Sequence, residues 1–207
     1  MANFVEDGVK KESFWLHSSA MPHSITEYDI LESQNEVCRD VEVIIIGGGI
    51  AGVSTAYHLS KRNMKCMILE RGSVCAGATG CNGGMLVPDP SEGFSDCIAR
   101  YGLDVALSIN EYTHKCAKDI QAFVEERNID CELRFPGLVN FAYTQEELVE
   151  VRKSYTVLHE QGVDVEWWEE SVCLERTKCS DFLGGYHRKY AGQLWYVKYV
   201  VYMIYII

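Results

Sequence analysis

Between residues 41 and 70 the chain reads as an apolar run, a glycine-rich turn, a helix and a second apolar run closed by an acid. Few folds accept that order. Residues 41–46 (VEVIII) hold five β-branched residues and one Glu, the composition of a strand buried on both faces of a parallel sheet. Gly47, Gly49 and Gly52 follow in G-x-G-x-x-G spacing. The first lets the chain turn out of the strand, the second lets backbone approach a pyrophosphate, and the third lets helix and strand pack closely. A helix over 50–62 would aim its N-terminal N–H groups and positive dipole end at those phosphates. Residues 64–69 read as the second strand, and Glu70 ends it, eighteen residues after Gly52. There a carboxylate can accept ribose hydroxyls, and it disfavours a 2′-phosphate and hence NADP. Strand, turn, helix and acid together specify a dinucleotide site, where the glycine spacing alone would be weak.

The stretch after Glu70 separates NAD from FAD. A nicotinamide enzyme is expected to proceed to another helix and strand, whereas residues 71–84 spend five of fourteen positions on glycine (72, 77, 80, 83 and 84). Ala76, Ala78, Thr79 and Asn82 lie between them. Such a run can offer successive N–H groups and small polar side chains to a long ligand. A second cradle suits FAD, with its ribityl and flavin portion; a plain surface loop is the alternative.

With IIGGGIAG, ERG and GATGCNGGM on one chain, the sequence resembles the D-amino-acid-oxidase-like (DAO) family of FAD-dependent oxidoreductases. Within that family it is similar to the gamma-glutamylputrescine oxidase-like branch, whose aromatic-rich lead resembles SFWLHSS at 13–19. The resemblance covers about residues 13–195 and is densest over 41–85. It implies an α/β fold: a Rossmann-like FAD-binding domain, three-layered around a parallel sheet, with part of an interleaved α+β substrate domain. It implies that Gly47, Gly49, Ile50, Ala51 and Gly52 contact the pyrophosphate, and that Glu70 and Arg71 lie by the adenosine ribose. Ala78, Thr79, Asn82, Gly83, Gly84 and Met85 would then line the ribityl chain and flavin. Cys81 stands where relatives frequently carry Arg. The implied reaction is oxidation of a C–N bond in a small amine or amino-acid substrate, with hydride passing from the α-carbon to flavin N5. No residue is assigned a catalytic proton transfer, because the flavin performs the redox step. An NAD-linked dehydrogenase and a non-catalytic nucleotide-binding remnant are the alternative readings.

Family members run to about twice the 207 residues here, so the expectation is an incomplete chain. It would lack a later strand on the adenine side and a C-terminal segment closing over the flavin. Residues 1–40 read as a lead, 41–195 as the N-terminal half of the oxidoreductase domain, and 196–207 (YVKYVVYMIYII) as an atypical hydrophobic tail. That tail shows neither helical nor strand alternation and is too short to span a bilayer. A premature end, such as a retained intron, is expected, with a buried C-terminal strand as the alternative.

A net charge of −11 disfavours nucleic-acid and anionic-membrane partners, and it would steer cationic amines. Residues 1–13 form no secretory signal, and nine cysteines without C-x-x-C or zinc spacing read as reduced thiols of a cytoplasmic chain. The six histidines show no metal spacing. His187, by the family likeness, could approach the flavin, though a surface role is favoured; Arg134, Arg188 and Lys189 are unranked candidates for a substrate carboxylate. Trp167 and Trp168 read as core and rim packing.

The middle of the chain reads as α-rich. Residues 91–127 carry helical periodicity, with Ile98, Leu103, Val105, Ala106, Ile109, Tyr112, Ile120 and Phe123 inward. Residues 139–143 read as a strand entering a helix, capped by Thr144 and Glu147 and faced by Leu148, Val151, Tyr155 and Leu158. Gly162 ends that helix, and 163–167 form another short strand candidate.

Overall fold

A computed structural model describes residues 13–16, 40–88 and 93–207. Most of the expected lead, His17, His23 and residues 91–92 lie outside the described residues. The chain divides into two compact units. The first takes described residues 13–16, 40–84, 129–131 and 195–207, and the second takes 85–88, 93–128 and 132–194.

The first unit is built on the β-α-β segment read from the glycine turn. Strand β1 (Val43–Ile46) runs into helix α1 (Ile50–Ser60), which returns the chain to strand β2 (Cys66–Leu69). The strands pair in parallel, from Val43 opposite Cys66 to Ile46 opposite Leu69. Side chains alternate across a strand, so Ile45 faces α1 while Ile44 and Ile46 face away. The close approach of Gly52 to the Ile45 side chain fixes that sense. Burial on both faces is therefore not observed. Ile44 and Ile46 are 58% and 88% exposed, and Leu69 is exposed beside them. Among the described residues the parallel sheet has two strands, with α1 against one face.

The hydrophobic tail is helical. Residues Tyr196–Tyr205 form α6 in the first unit (α2–α5 lie in the second). Val197, Tyr199, Val200 and Met203 are buried, and α6 packs on α1, whose Val53, Ala56 and Tyr57 are buried in turn. A buried strand is excluded. Packing on α1 outweighs the weak helix propensity of so many aromatic and β-branched residues.

In the second unit, β3 (Met85–Leu86) precedes α2 (Phe94–Tyr101) and α3 (Leu103–Arg127). The expected helical stretch breaks at Gly102, whose φ of 84° is costly for any residue with a Cβ. The break alters which residues face inward. Ala106, Asn110, Ala117 and Val124 are buried on α3, whereas Leu103, Val105 and Tyr112 are exposed. Strand β4 (Leu138–Ala142) leads into α4 (Gln145–Glu160), and the capping box forms: Glu147 N donates to Thr144 Oγ1 at 3.1 Å, and Thr144 N donates to Glu147 Oε2 at 3.1 Å. Then come β5 (Val165–Glu169), α5 (Glu170–Thr177), β6 (Gly184–Arg188) and β7 (Gly192–Gln193). Strands β4, β6 and β5 make an antiparallel sheet with β6 central, and β3 pairs antiparallel with β7. Helix α4 packs on that sheet, and the core joins Phe94, Cys97, Ala106, Leu158, Val165 and Tyr186, with Val151 and Tyr155 against it.

Candidate functional site

The first turn adopts the geometry that its glycines require. Gly47 has φ of 107°, and a Cβ on Gly52 would run into the Gly47 carbonyl oxygen. The first intrahelical bond of α1 is Val53 N to Gly49 O at 3.0 Å, so the N–H groups of Gly49, Ile50, Ala51 and Gly52 precede it without intrahelical acceptors. Ile50 N donates instead to Thr79 Oγ1 at 3.0 Å. Thr79 lies in a 3₁₀ turn, Ala78–Gly80, inside the second glycine-rich loop. Its hydroxyl therefore joins the two loops that the sequence marked separately. The remaining first-turn N–H groups and the positive dipole end of α1 are left facing outward, an arrangement that suits an anion.

Glu70 is oriented at the end of β2 by backbone. Gly48 N donates to Oε2 at 2.7 Å and Gly72 N donates to Oε1 at 2.9 Å. These two N–H groups, chiefly that of Gly48, hold the carboxyl below the usual range, with the Arg71 cation adding to the effect. Each carboxylate oxygen keeps a further lone pair for another donor. The Arg71 side chain is exposed.

Asn82 organises the second loop from within. Its Nδ2 donates to Thr79 O at 2.6 Å and Ala78 O at 3.3 Å, while its Oδ1 accepts from Gly84 N at 2.7 Å. Thr79 and Gly84 are buried, Ala78 and Gly83 are exposed, and Gly84 has φ of 72°. Twelve of the thirteen residues expected at the cofactor thus fall in the first unit; Met85 opens the second and is exposed. Cys75 is buried in this loop, and burial pushes its thiol up to about 12, with the Glu70 charge acting in the same direction. Cys81 is exposed.

Sequence reading missed the clamp that holds the loop from outside. A 3₁₀ turn, Phe14–Leu16, lies against it: Trp15 Nε1 donates to Asn82 O at 2.7 Å, and Ser13 Oγ donates to Gly80 O. Trp195, just before α6, donates from Nε1 to Trp15 O at 2.9 Å. The aromatic lead was visible in the sequence, but its target, a pair of backbone carbonyls in a glycine loop, leaves no side-chain signature.

The remaining candidates lie in the second unit. His187 stacks on Trp168, and its Nδ1 stands 3.8 Å from Glu166 Oε2. Arg188 is 2% exposed and donates to Asn110 Oδ1 at 2.7 Å. Lys189 pairs with Asp164 at 2.9 Å and Arg134 with Glu132 at 2.9 Å. Arg188, Asn110, His114, Lys118, Asp164 and Tyr190 line a cleft of about 1020 Å³. Arg152 lies over the Trp167 ring at 3.6 Å and Arg176 over Trp168 at 4.8 Å, so both indoles serve in packing. Among the described residues no group of His, Cys, Asp and Glu is arranged to hold a metal ion, and no helix is long and apolar enough to cross a membrane.

FAD can be tested against this geometry. It needs an anion-accepting helix N-terminus approached over glycine, an oriented carboxylate within reach of the same turn, and a second small-residue loop joined to the first. All three are present, and a Cβ at Gly49 would stand 3.0 Å from Thr79 Oγ1, at the junction of the two loops.

Residues 42–205 match the family model described as DAO, FAD dependent oxidoreductase, a span that includes the C-terminal helix. Gamma-glutamylputrescine oxidoreductase of Escherichia coli (strain K12) is 31% identical over 121 residues, which is 58% of this chain and 28% of that protein. Glycine oxidase of Geobacillus kaustophilus (strain HTA426) is 28% identical over 134 residues, 65% of this chain and 34% of that protein. The crystal structure of glycine oxidase from Geobacillus kaustophilus superposes with a TM-score of 0.63 at 25% identity, covering 80% of this chain and 43% of that one. The chain thus spans about a third or less of these two curated relatives. By its sequence and the structure of both glycine-rich loops, it belongs to the DAO family of FAD-dependent oxidoreductases.

Proposed function

We propose that this chain carries the FAD-binding portion of an oxidoreductase acting on the C–N bond of a small amine or amino acid, on a Rossmann-like parallel sheet. One observation carries the reading: the Thr79 hydroxyl on Ile50 N and the Glu70 carboxylate on Gly48 N join strand end, helix start and second loop into one cradle. The names of the relatives, glycine oxidase and gamma-glutamylputrescine oxidoreductase, support the amine or amino-acid class. FAD, when bound, supplies the two-electron acceptor for a hydride leaving the substrate's α-carbon. The chain's own residues bind and orient. The N–H groups of Gly49, Ala51 and Gly52 face the pyrophosphate, Gly47 provides the turn, and Glu70 accepts from the ribose with Arg71 adjacent. Ala78, Thr79, Asn82, Gly83, Gly84 and Met85 serve the ribityl and flavin side. The net charge of −11 favours encounter with cationic amines and opposes nucleic acid and anionic membrane. The eight described cysteines are free thiols, which fits a cytoplasmic setting.

A second reading, a chain that binds nucleotide without turnover, is favoured by the open face at Ile44 and Ile46. The visible spectrum of the chain, purified after expression with excess riboflavin, decides first. Flavin bands near one equivalent support the FAD reading, and a colourless soluble protein counts against it. Reduction of the bound flavin by added amines or amino acids, without oxygen, then separates an oxidoreductase from a non-catalytic binder.

A further inference from the structure

From Asn82, the bracing of the second glycine-rich loop can be followed outward to two indoles. Asn82 braces the loop with its side chain, and Thr79 ties it to the start of α1. The Asn82 carbonyl oxygen in turn accepts from Trp15 Nε1 at 2.7 Å. Trp15 is itself held. Trp195 Nε1 donates to its carbonyl oxygen at 2.9 Å, and the two indoles meet edge to face with centroids 5.3 Å apart. Phe14 stacks on Trp195 at 5.4 Å and closes the aromatic cluster. Ser13 adds a hydrogen bond to Gly80 O, and Leu16 lies where a Gly80 side chain would stand, 3.0 Å from an added Cβ. Trp195 is anchored by its own backbone, with its N–H on Cys131 O at 2.7 Å, and it caps α6, the helix packed on α1. A glycine-rich loop has many conformations of similar energy, and an outside clamp removes them.

We propose that Trp15 is a positioning residue for the cofactor. Its indole N–H, held by Trp195, sets the Asn82 carbonyl and with it the loop 78–84 in the conformation that accepts the flavin half of FAD. This inference rests on the FAD reading above and adds an element that the glycine motifs do not contain. Linkage makes the effect reciprocal: docking of 13–16 raises affinity for FAD, and FAD protects the docked turn. A ligand that reaches only the first turn and Glu70, such as ADP, gains nothing from the clamp.

Trp15→Phe keeps an aromatic ring beside Trp195 and deletes the donor. In the full chain, the FAD dissociation constant is expected to rise by about three- to tenfold, the loss of one hydrogen bond, while the ADP constant stays unchanged. Hydrogen exchange on the ligand-free protein gives a readout that needs no cofactor. The loop 76–84 should exchange faster in Trp15→Phe, while the peptide covering Gln145–Glu160 in the second unit should not change. Equal loss of FAD and ADP affinity would make Trp15 a general structural residue and overturn the proposal. Unchanged loop exchange, or faster exchange with unaltered FAD affinity, overturns it as well. Wild-type protein that binds ADP but no FAD overturns the flavin reading itself, and loop exchange in Trp15→Phe would still decide whether the clamp exists.

Discussion

At the scale of single residues, the two loops contain groups whose protonation is set by opposite causes. Glu70 is half-buried and accepts from Gly48 N and Gly72 N, so its carboxyl titrates below the ordinary glutamate value of about 4.3. A depressed acid stabilises the fold above its unfolded value, and that contribution is lost as the pH falls through the folded one. Wild-type protein should therefore lose stability more steeply than Glu70→Gln as the pH drops below about 4.3. Thermal unfolding of both proteins across that window checks it; parallel curves would count against the role given to Glu70. Cys75 is the opposite case, a buried thiol pushed up to about 12 and neutral at physiological pH. Since the thiolate is the reactive species, a maleimide should label Cys81 well before Cys75, as peptide mass spectrometry can follow. At this scale the sequence is informative about glycines and acids, because their spacing carries the geometry. It says nothing of Thr79 as a cap for α1, because that bond joins residues 29 apart.

Among the elements, local signals were legible and long-range ones were not. The Thr144–Glu147 capping box could be read because its partners lie within one helical turn, and the β-α-β order because its elements follow one another directly along the chain. The single stretch expected over 91–127 misled because Gly102 falls inside it and rotates the buried face of α3 relative to that of α2. Helix α6 was hidden for another reason. Lys198 is its only charged residue, so no polar face marks the period, although burial at Val197, Val200 and Met203 is helical in spacing. If that buried side supports the first unit, Met203→Ala should cost about 2 kcal/mol or more. Denaturant unfolding followed by indole fluorescence would measure it, and a loss under half that value would mean α6 adds little.

For the chain as a whole, the consequential feature is the open face of β1 and β2. Ile44, Ile46 and Leu69 present branched apolar side chains to water on a sheet that has two strands among the described residues. Such a patch favours association between molecules. Ile46→Lys should lower concentration-dependent scattering while leaving ADP affinity intact, since Ile46 faces away from α1; sedimentation across a range of concentrations is the direct test. This face was misread from sequence because VEVIII has the composition of a strand covered on both sides, and composition cannot report which of its side chains stay exposed.

The joint between Trp15 and Trp195 also bears on how the chain is made. The β-α-β segment and both glycine loops have been synthesised by residue 84, but the indole that seats Trp15 is added more than a hundred residues later. At ribosomal speeds of about 5–20 residues per second, the delay is on the order of ten seconds. During that interval the nucleotide-binding turn can form while the neighbouring loop lacks its brace. If Trp15 has the proposed role, affinity for FAD reaches its full value only once Trp195 has been added.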